Sequence, residues 1–267
     1  MKSAEGTIRR FQRRHIINHV VMVVCFIGLV ITGLPQKFPA HGWAKGVVLI
    51  MGGVERVRWL HHLLGTIMAL HLVWHFLEAL WFHLVRRLSM PMVPRLQDVK
   101  DFMCQVKYNL GLEKHPPRMD RYTFAEKLEY LALVWGTALM VATGLVLLFP
   151  VRWSSLVSGE VILAAKAAHG GEAILAFLSI LTWHAYFVHV RHWNTSIFTG
   201  RLEEEEYATE HPLELARIRK GAADHPGPVG GWRLAVFAAL TTGTLLGLAS
   251  LWKWLAAVPN VVETVPL

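Results

Sequence analysis

The sequence predicts an all-α integral membrane protein, a four-helix bundle with a fifth transmembrane helix appended. Three observations predict it. Five apolar stretches, at roughly 17–34, 60–84, 128–149, 166–190 and 232–252, have the length that a bilayer-crossing helix needs, about 20 residues. The chain is 54% hydrophobic and only 17% charged, too apolar for an ordinary soluble domain. Twenty Lys and Arg flank alternate ends of these stretches, in 1–16, 85–127 and 191–233, against seven elsewhere. By the positive-inside pattern, that alternation puts the N-terminus inside and the C-terminus outside, which in a bacterial inner membrane are the cytoplasm and the periplasm.

The net charge of +8 is therefore mostly cytoplasmic flank. No basic groove interleaved with stacking aromatics accompanies it, so nucleic acid is not expected as a partner; membrane lipid is. Cys25 and Cys104 form neither a disulfide framework nor a metal pattern, and no Cys-x-x-Cys-His run offers covalent haem attachment.

In the first stretch the helix begins near His15 or His19, behind Arg9, Arg10, Arg13 and Arg14, and should end at Thr32-Gly33-Leu34-Pro35. That ending is no small-residue cleavage site, so the stretch reads as a retained membrane helix and not an export signal. Segment 35–59 is an external connection with Trp43, Trp59, Arg56 and Arg58 at the interface. The second helix carries His61 toward the outer face and His75 toward the inner one, with His62 and His71 besides. His61 and His75 return to within about 40° of one face and are separated by about 21 Å. Gly65, one turn beyond His61, leaves that face open to close approach.

The connection 85–127 holds Pro91, Pro94, Pro116 and Pro117 among charges of both signs, and reads as a structured or surface-lying segment. The third helix has no histidine, and its Gly136 and Gly144 suit close packing. The fourth presents His169 near the outside and His184 near the inside, about 60° and 22 Å apart. His189 and His192 lie at or past the inner interface. Residues 1–200 thus form the core, 201–231 a charged cytoplasmic segment expected to be solvated, and 232–267 an anchoring helix with a short external tail.

An ionisable side chain inside a hydrophobic span is a functional hypothesis by default. Neutral imidazole ligates haem iron, and iron held between two histidines keeps no open position, which suits electron transfer. Two helices that each offer one histidine toward either face would stack two such centres across the membrane. A histidine-based divalent metal transporter would set carboxylates beside its histidines, and the main acidic candidates here are Glu78 and Glu172. A haem-free membrane anchor, docking a complex through 85–127 and 191–230, is the other alternative.

Four segments carry a family resemblance: RFQRRHIINH followed by ITGLP, RWLHHLLG, RYTFAEKLEYLALVWGTALMVATGLVLLF, and HGGEAILAFLSILTWHAYFVHV. Over about residues 8–200 the chain resembles the membrane cytochrome b subunits of the formate dehydrogenase gamma, thiosulfate reductase and nickel-iron hydrogenase type. The resemblance implies two non-covalent b-type haems with bis-histidine ligation, and a quinone site, for menaquinone or ubiquinone, near the cytoplasmic haem. It also implies electron exchange with iron-sulfur, multihaem c-type or molybdenum-type catalytic subunits. Carried over by position, His61 and His169 hold the outer haem and His19 and His184 the inner one. His75 competes with His19 for that inner place, and with His71 leaves the haem count open. Arg14, Arg58 and Arg191 are candidate haem-propionate partners, and Tyr108, Asn109, Arg121 and Tyr122 candidate quinone-binding groups.

Overall fold

The computed structural model describes residues 6–191, 193–221 and 226–257. In chain order the elements are β1 (Thr7–Arg9), α1 (Arg13–Lys37), α2 (Gly42–Ile50), α3 (Val54–Leu80), α4 (Leu96–Asn109), α5 (Phe124–Leu148), α6 (Pro150–Ser154), α7 (Gly159–Ser179), α8 (Ser196–Thr199), β2 (Arg201–Glu203), α9 (Glu204–Glu210), α10 (Pro212–Arg219) and α11 (Gly231–Ala256). Five helices are long and apolar enough to cross a membrane: α1, α3, α5, α7 and α11. Their side chains remain largely exposed, among them Ile17, Val24, Leu70, Trp74, Trp135 and Leu175. Lipid is the natural solvent for such faces, because a helix satisfies its own backbone there.

The helices overrun the hydropathy windows. Helix α1 continues to Lys37 through a buried Pro35, so the glycine and proline that predicted its end sit in its last turns. A proline there forfeits one helical hydrogen bond without stopping the chain. Helix α3 continues as a π-helical turn over Trp81–Val85, and α7 does so over Ile180–His184 and Tyr186–Arg191. Such turns interrupt the 3.6-residue period from which the angle between His169 and His184 is predicted. The expected external connection 35–59 contains α2.

By its internal contacts the chain divides into two units, one of Met1–Val20, Glu78–Trp135 and His184–Val229, the other of Val21–Leu77, Gly136–Trp183 and Gly230–Leu267. In the first, β1 pairs antiparallel with β2, with Ile8 opposite Leu202. Behind this ribbon Leu202, Tyr207 and Leu215 form a small buried cluster, flanked by Ile8 and Ile218. The segment expected to be solvated over 201–231 therefore folds through residue 219, because its sparse apolar residues find partners on the N-terminal strand. Gly200 caps α8 at φ +76°, and its carbonyl accepts hydrogen bonds from the backbone N–H groups of Arg10 and Phe11. A Cβ at that position would lie 3.0 Å from the Phe11 carbonyl oxygen.

The start of α5 is also tied down in this unit. Thr123 and Glu126 form a reciprocal capping box: Thr123 N–H donates to Glu126 Oε2 (2.8 Å) and Glu126 N–H to Thr123 Oγ1 (3.1 Å). The other oxygen of Glu126 takes the buried Arg10 guanidinium at 2.6 Å. Lys127 meets Asp98 of α4 at 2.6 Å, and Phe102 of α4 meets Phe124 edge to face at 5.6 Å. In the second unit, Leu64 of α3 packs over Gly28 of α1. The end of α11 is fixed by Trp254 against Trp153 (5.3 Å) and Trp252 against Phe149 (6.1 Å).

Candidate functional site

Each unit contains one pair of facing histidines. In the second unit His61 of α3 and His169 of α7 have ring centres 6.3 Å apart. In the first, His19 of α1 and His184, at the π-helical end of α7, have ring centres 6.4 Å apart.

Hydrogen bonds around His61 and His169 fix their tautomers. Thr32 Oγ1 donates its single hydrogen to the Gly28 carbonyl at 2.7 Å. At 2.9 Å from His61 Nδ1 it has only lone pairs left to offer, so Nδ1 carries the ring proton and donates. Helix α5 repeats the arrangement: Thr143 Oγ1 donates to the Leu139 carbonyl at 2.7 Å and accepts from His169 Nδ1 at 2.9 Å. In both rings the lone pair is left on Nε2, the nitrogen free to bind a metal. Glycine sets how closely the rings approach. A Cβ on Gly33 would sit 3.0 Å from His61 Cε1, and one on Gly144 3.4 Å from His169 Cε1.

The second pair is built differently. His184 Nδ1 lies 2.6 Å from Glu129 Oε1, where the carboxylate oxygen accepts a hydrogen bond from Nδ1–H and Nε2 again keeps the lone pair. His19 Nδ1 is buried without a hydrogen-bond partner among the described residues, and the ring stands edge to face on Phe198 at 5.4 Å.

These pairs fit a bis-histidine metal centre. Metal–imidazole bonds of about 2.0–2.1 Å, with each ring centre about 1.2 Å behind its nitrogen, set two opposed rings about 6.4–6.6 Å apart. The observed separations of 6.3 and 6.4 Å lie at or just below the short end of that range. Among the described residues no three His, Cys, Asp or Glu side chains converge as a cation site, so the ligand supply is two imidazoles at a time.

Most of the other residues that the sequence singles out have neighbours of their own. His75 belongs to the second unit, with its ring centre 6.4 Å from that of Phe76. The Arg14 guanidinium lies over the Phe82 ring at 3.5 Å and 3.8 Å from Glu78, whose other oxygen accepts from Asn18 Nδ2 at 2.7 Å. Exposed Arg58 pairs loosely with Glu55 at 4.0 Å. The side chain of Arg191, and His192 entirely, lie outside the described residues. Arg121 is 3.7 Å from Glu214, and Asn109 accepts from Gln105 at 2.8 Å. A Cβ on Gly65 would meet Leu29 at 3.9 Å, and Gly136 makes room for the Glu172 carboxylate, with a Cβ there 2.5 Å from Oε1.

Reading the sequence for histidines misses Thr32, Thr143 and Glu129. A signal for the threonines exists: Thr-Gly-Leu occurs on α1 as residues 32–34 and on α5 as residues 143–145, each serving the histidine of the next membrane-length helix. Glu129 lies on a span and reads as part of its flank.

The chain is similar to the cytochrome b556(fdo) subunit of formate dehydrogenase from Escherichia coli K12, with 24% identity over 215 residues, 80% of this chain and 94% of that subunit. The corresponding subunits of E. coli O6:H1 and O157:H7 match to the same extent. Residues 10–200 match the family described as prokaryotic cytochrome b561. On that match the chain belongs to the prokaryotic cytochrome b561 family, membrane electron-transfer proteins that carry b-type haem.

Proposed function

We propose that this chain is the quinone-reactive, di-haem subunit of a membrane oxidoreductase complex. In this reading it moves electrons between the quinone pool and a periplasmic catalytic or multihaem partner. One observation carries it: two histidine pairs at ring separations of 6.3 and 6.4 Å, with three of the four rings held as Nδ1–H tautomers. Charge alternation puts the His61–His169 pair toward the periplasm and the His19–His184 pair toward the cytoplasm, with N-terminus inside and C-terminus outside. Quinone is assigned to the His184 end, following the family resemblance.

When bound, haem supplies a one-electron couple at each pair. The chain's own part is to hold four imidazoles in orientation. Thr32 and Thr143 accept hydrogen bonds from Nδ1–H of His61 and His169, and Glu129 accepts one from Nδ1–H of His184. Phe198 closes against the His19 ring. His19 is preferred over His75 because it is the ring that faces His184.

Purified protein should show a reduced b-type α band and about two non-covalent haems per chain by pyridine haemochrome. A folded but colourless preparation would overturn the reading. So would divalent-metal uptake by proteoliposomes with no haem requirement, the outcome expected of a carrier.

A further inference from the structure

Helix α4 belongs to neither histidine pair and is the most clearly two-faced helix of the molecule. At about 100° per residue, Leu96, Val99, Phe102, Met103, Val106 and the capping Leu110 gather within an arc of about 120°. Most of that arc is uncovered: Leu96 is 83% exposed, Val99 60%, Met103 49% and Leu110 68%. The opposite face is polar and satisfies itself, Gln97 donating to Asp101 and Gln105 to Asn109, each at 2.8 Å.

The charges around α4 are sorted as well. On one side of the apolar arc Asp98 is bound to Lys127 and Phe102 rests on Phe124, so that side is turned to the first residues of span α5. Lys100 and Lys107 stand together on the other flank, within about 40° of Leu96. Going round the helix, the order is span contact, apolar face, lysines, polar face. Apolar anchors bordered by long cationic side chains that keep their heads in water are the signature of a helix lying in a membrane interface.

The chain also fixes where this helix sits. It is strung between spans α3 and α5 and held against the beginning of α5. The neighbouring face of α5, with Leu128 64%, Leu131 48% and Trp135 70% exposed, is already lipid-facing as part of a span. We propose that α4 lies in the plane of the membrane, its Leu96–Val99–Met103–Val106 face sunk to the acyl boundary and Lys100 and Lys107 on anionic phospholipid headgroups.

The test uses the full chain reconstituted in nanodiscs of equal parts phosphatidylcholine and phosphatidylglycerol, with Cys25 and Cys104 replaced by serine. Spin labels are placed singly through Val99→Cys, Met103→Cys and Val106→Cys, and on the other face through Gln97→Cys, Asp101→Cys and Gln105→Cys. Collision rates are then read with oxygen, which partitions into lipid, and with a water-soluble nickel chelate. The expected result is oxygen-dominated collision at 99, 103 and 106, nickel-dominated collision at 97, 101 and 105, and a shallower apolar face after Lys100→Glu with Lys107→Glu. Nickel access equal on both faces would show the helix standing in water. Protection of 99, 103 and 106 from both reagents would show a protein partner or a second copy on that face. A depth unchanged by the double substitution would remove the headgroup contact. Each of these results overturns the proposal.

Discussion

The two histidine pairs have nearly equal ring separations but unlike surroundings. His61 and His169 each donate a hydrogen bond from Nδ1–H to a threonine hydroxyl, a neutral acceptor held in place by its own bond to the backbone. His184 donates one to the Glu129 carboxylate, whereas buried His19 Nδ1 has no partner among the described residues. A carboxylate draws the proton more strongly and makes the imidazole a better donor to a metal at Nε2, which favours the more oxidised state. On the proposed di-haem function, equal spacing with unequal acceptors lets one scaffold hold two similar centres at different potentials, and at the His19–His184 pair His184 as a ligand should draw the potential down.

Removing ligands gives the largest effect. His61→Ala or His169→Ala should each lose about half the haem, and His19→Ala or His184→Ala the other half, whereas His75→Ala keeps both. Pyridine haemochrome on the five variants reads this directly, and loss of a haem in His75→Ala would move the ligand from α1 to α3.

The acceptors come next. Glu129→Gln should raise the midpoint potential of one haem on the order of 60 mV, the one-electron equivalent of a tenfold change in affinity. Thr143→Val, which leaves the His169 Nδ1–H unmet, should move the other haem by less. A redox titration of the α band in which both variants shift the same component would break the distinction between the pairs.

How much of this is legible in the sequence follows from what each residue advertises. The five spans announce themselves through apolar length, and His61, His169 and His184 stand out because an ionisable group in a span is rare. Thr32 and Thr143 do not stand out, since a threonine in a membrane helix ordinarily bonds its own backbone, as both of these also do. Only the repeated Thr-Gly-Leu, set against two histidine-bearing helices, separates them from ordinary packing. Glu129 escapes for a different reason: its partner His184 is 55 positions away, on a π-helical turn that no regular periodicity foresees. The small cluster of Leu202, Tyr207 and Leu215 hides in a segment dominated by glutamate and arginine, where a few apolar residues suffice once β1 pairs with β2.

Glycine substitutions separate the two halves of the threonine-lined pair itself. At Gly33 a Cβ would lie 3.0 Å from His61 Cε1, tighter than ordinary van der Waals contact, whereas at Gly144 the distance to His169 Cε1 is 3.4 Å. Gly33→Ala should therefore displace the ring and lower haem retention in that pair, with Gly144→Ala close to the parent. Haem content after mild denaturant challenge reads the order, and a larger loss in Gly144→Ala would contradict the packing.

Acid should act on the other pair, and by a smaller amount. His211 is 1% exposed, packs against Tyr207 at 5.5 Å and donates from Nδ1 to the Asp120 carbonyl at 2.8 Å. Burial, and then the Arg10 guanidinium, hold its pKa below the ordinary value of 6.5. The unfolded chain therefore takes up a proton near pH 6.5 that the folded chain refuses. Stability from neutral His211 is complete above that pH and declines below it, until the folded-state value is passed. His211 belongs with Arg10 and Glu126 to the unit that carries His19 and His184, so loosening this packing reaches those two first. Acidification from neutrality should broaden the spectrum of one haem before the other. His211→Gln, which keeps a side-chain donor without the titration, should flatten that dependence; an acid response that persists unchanged in the variant would assign it to another group.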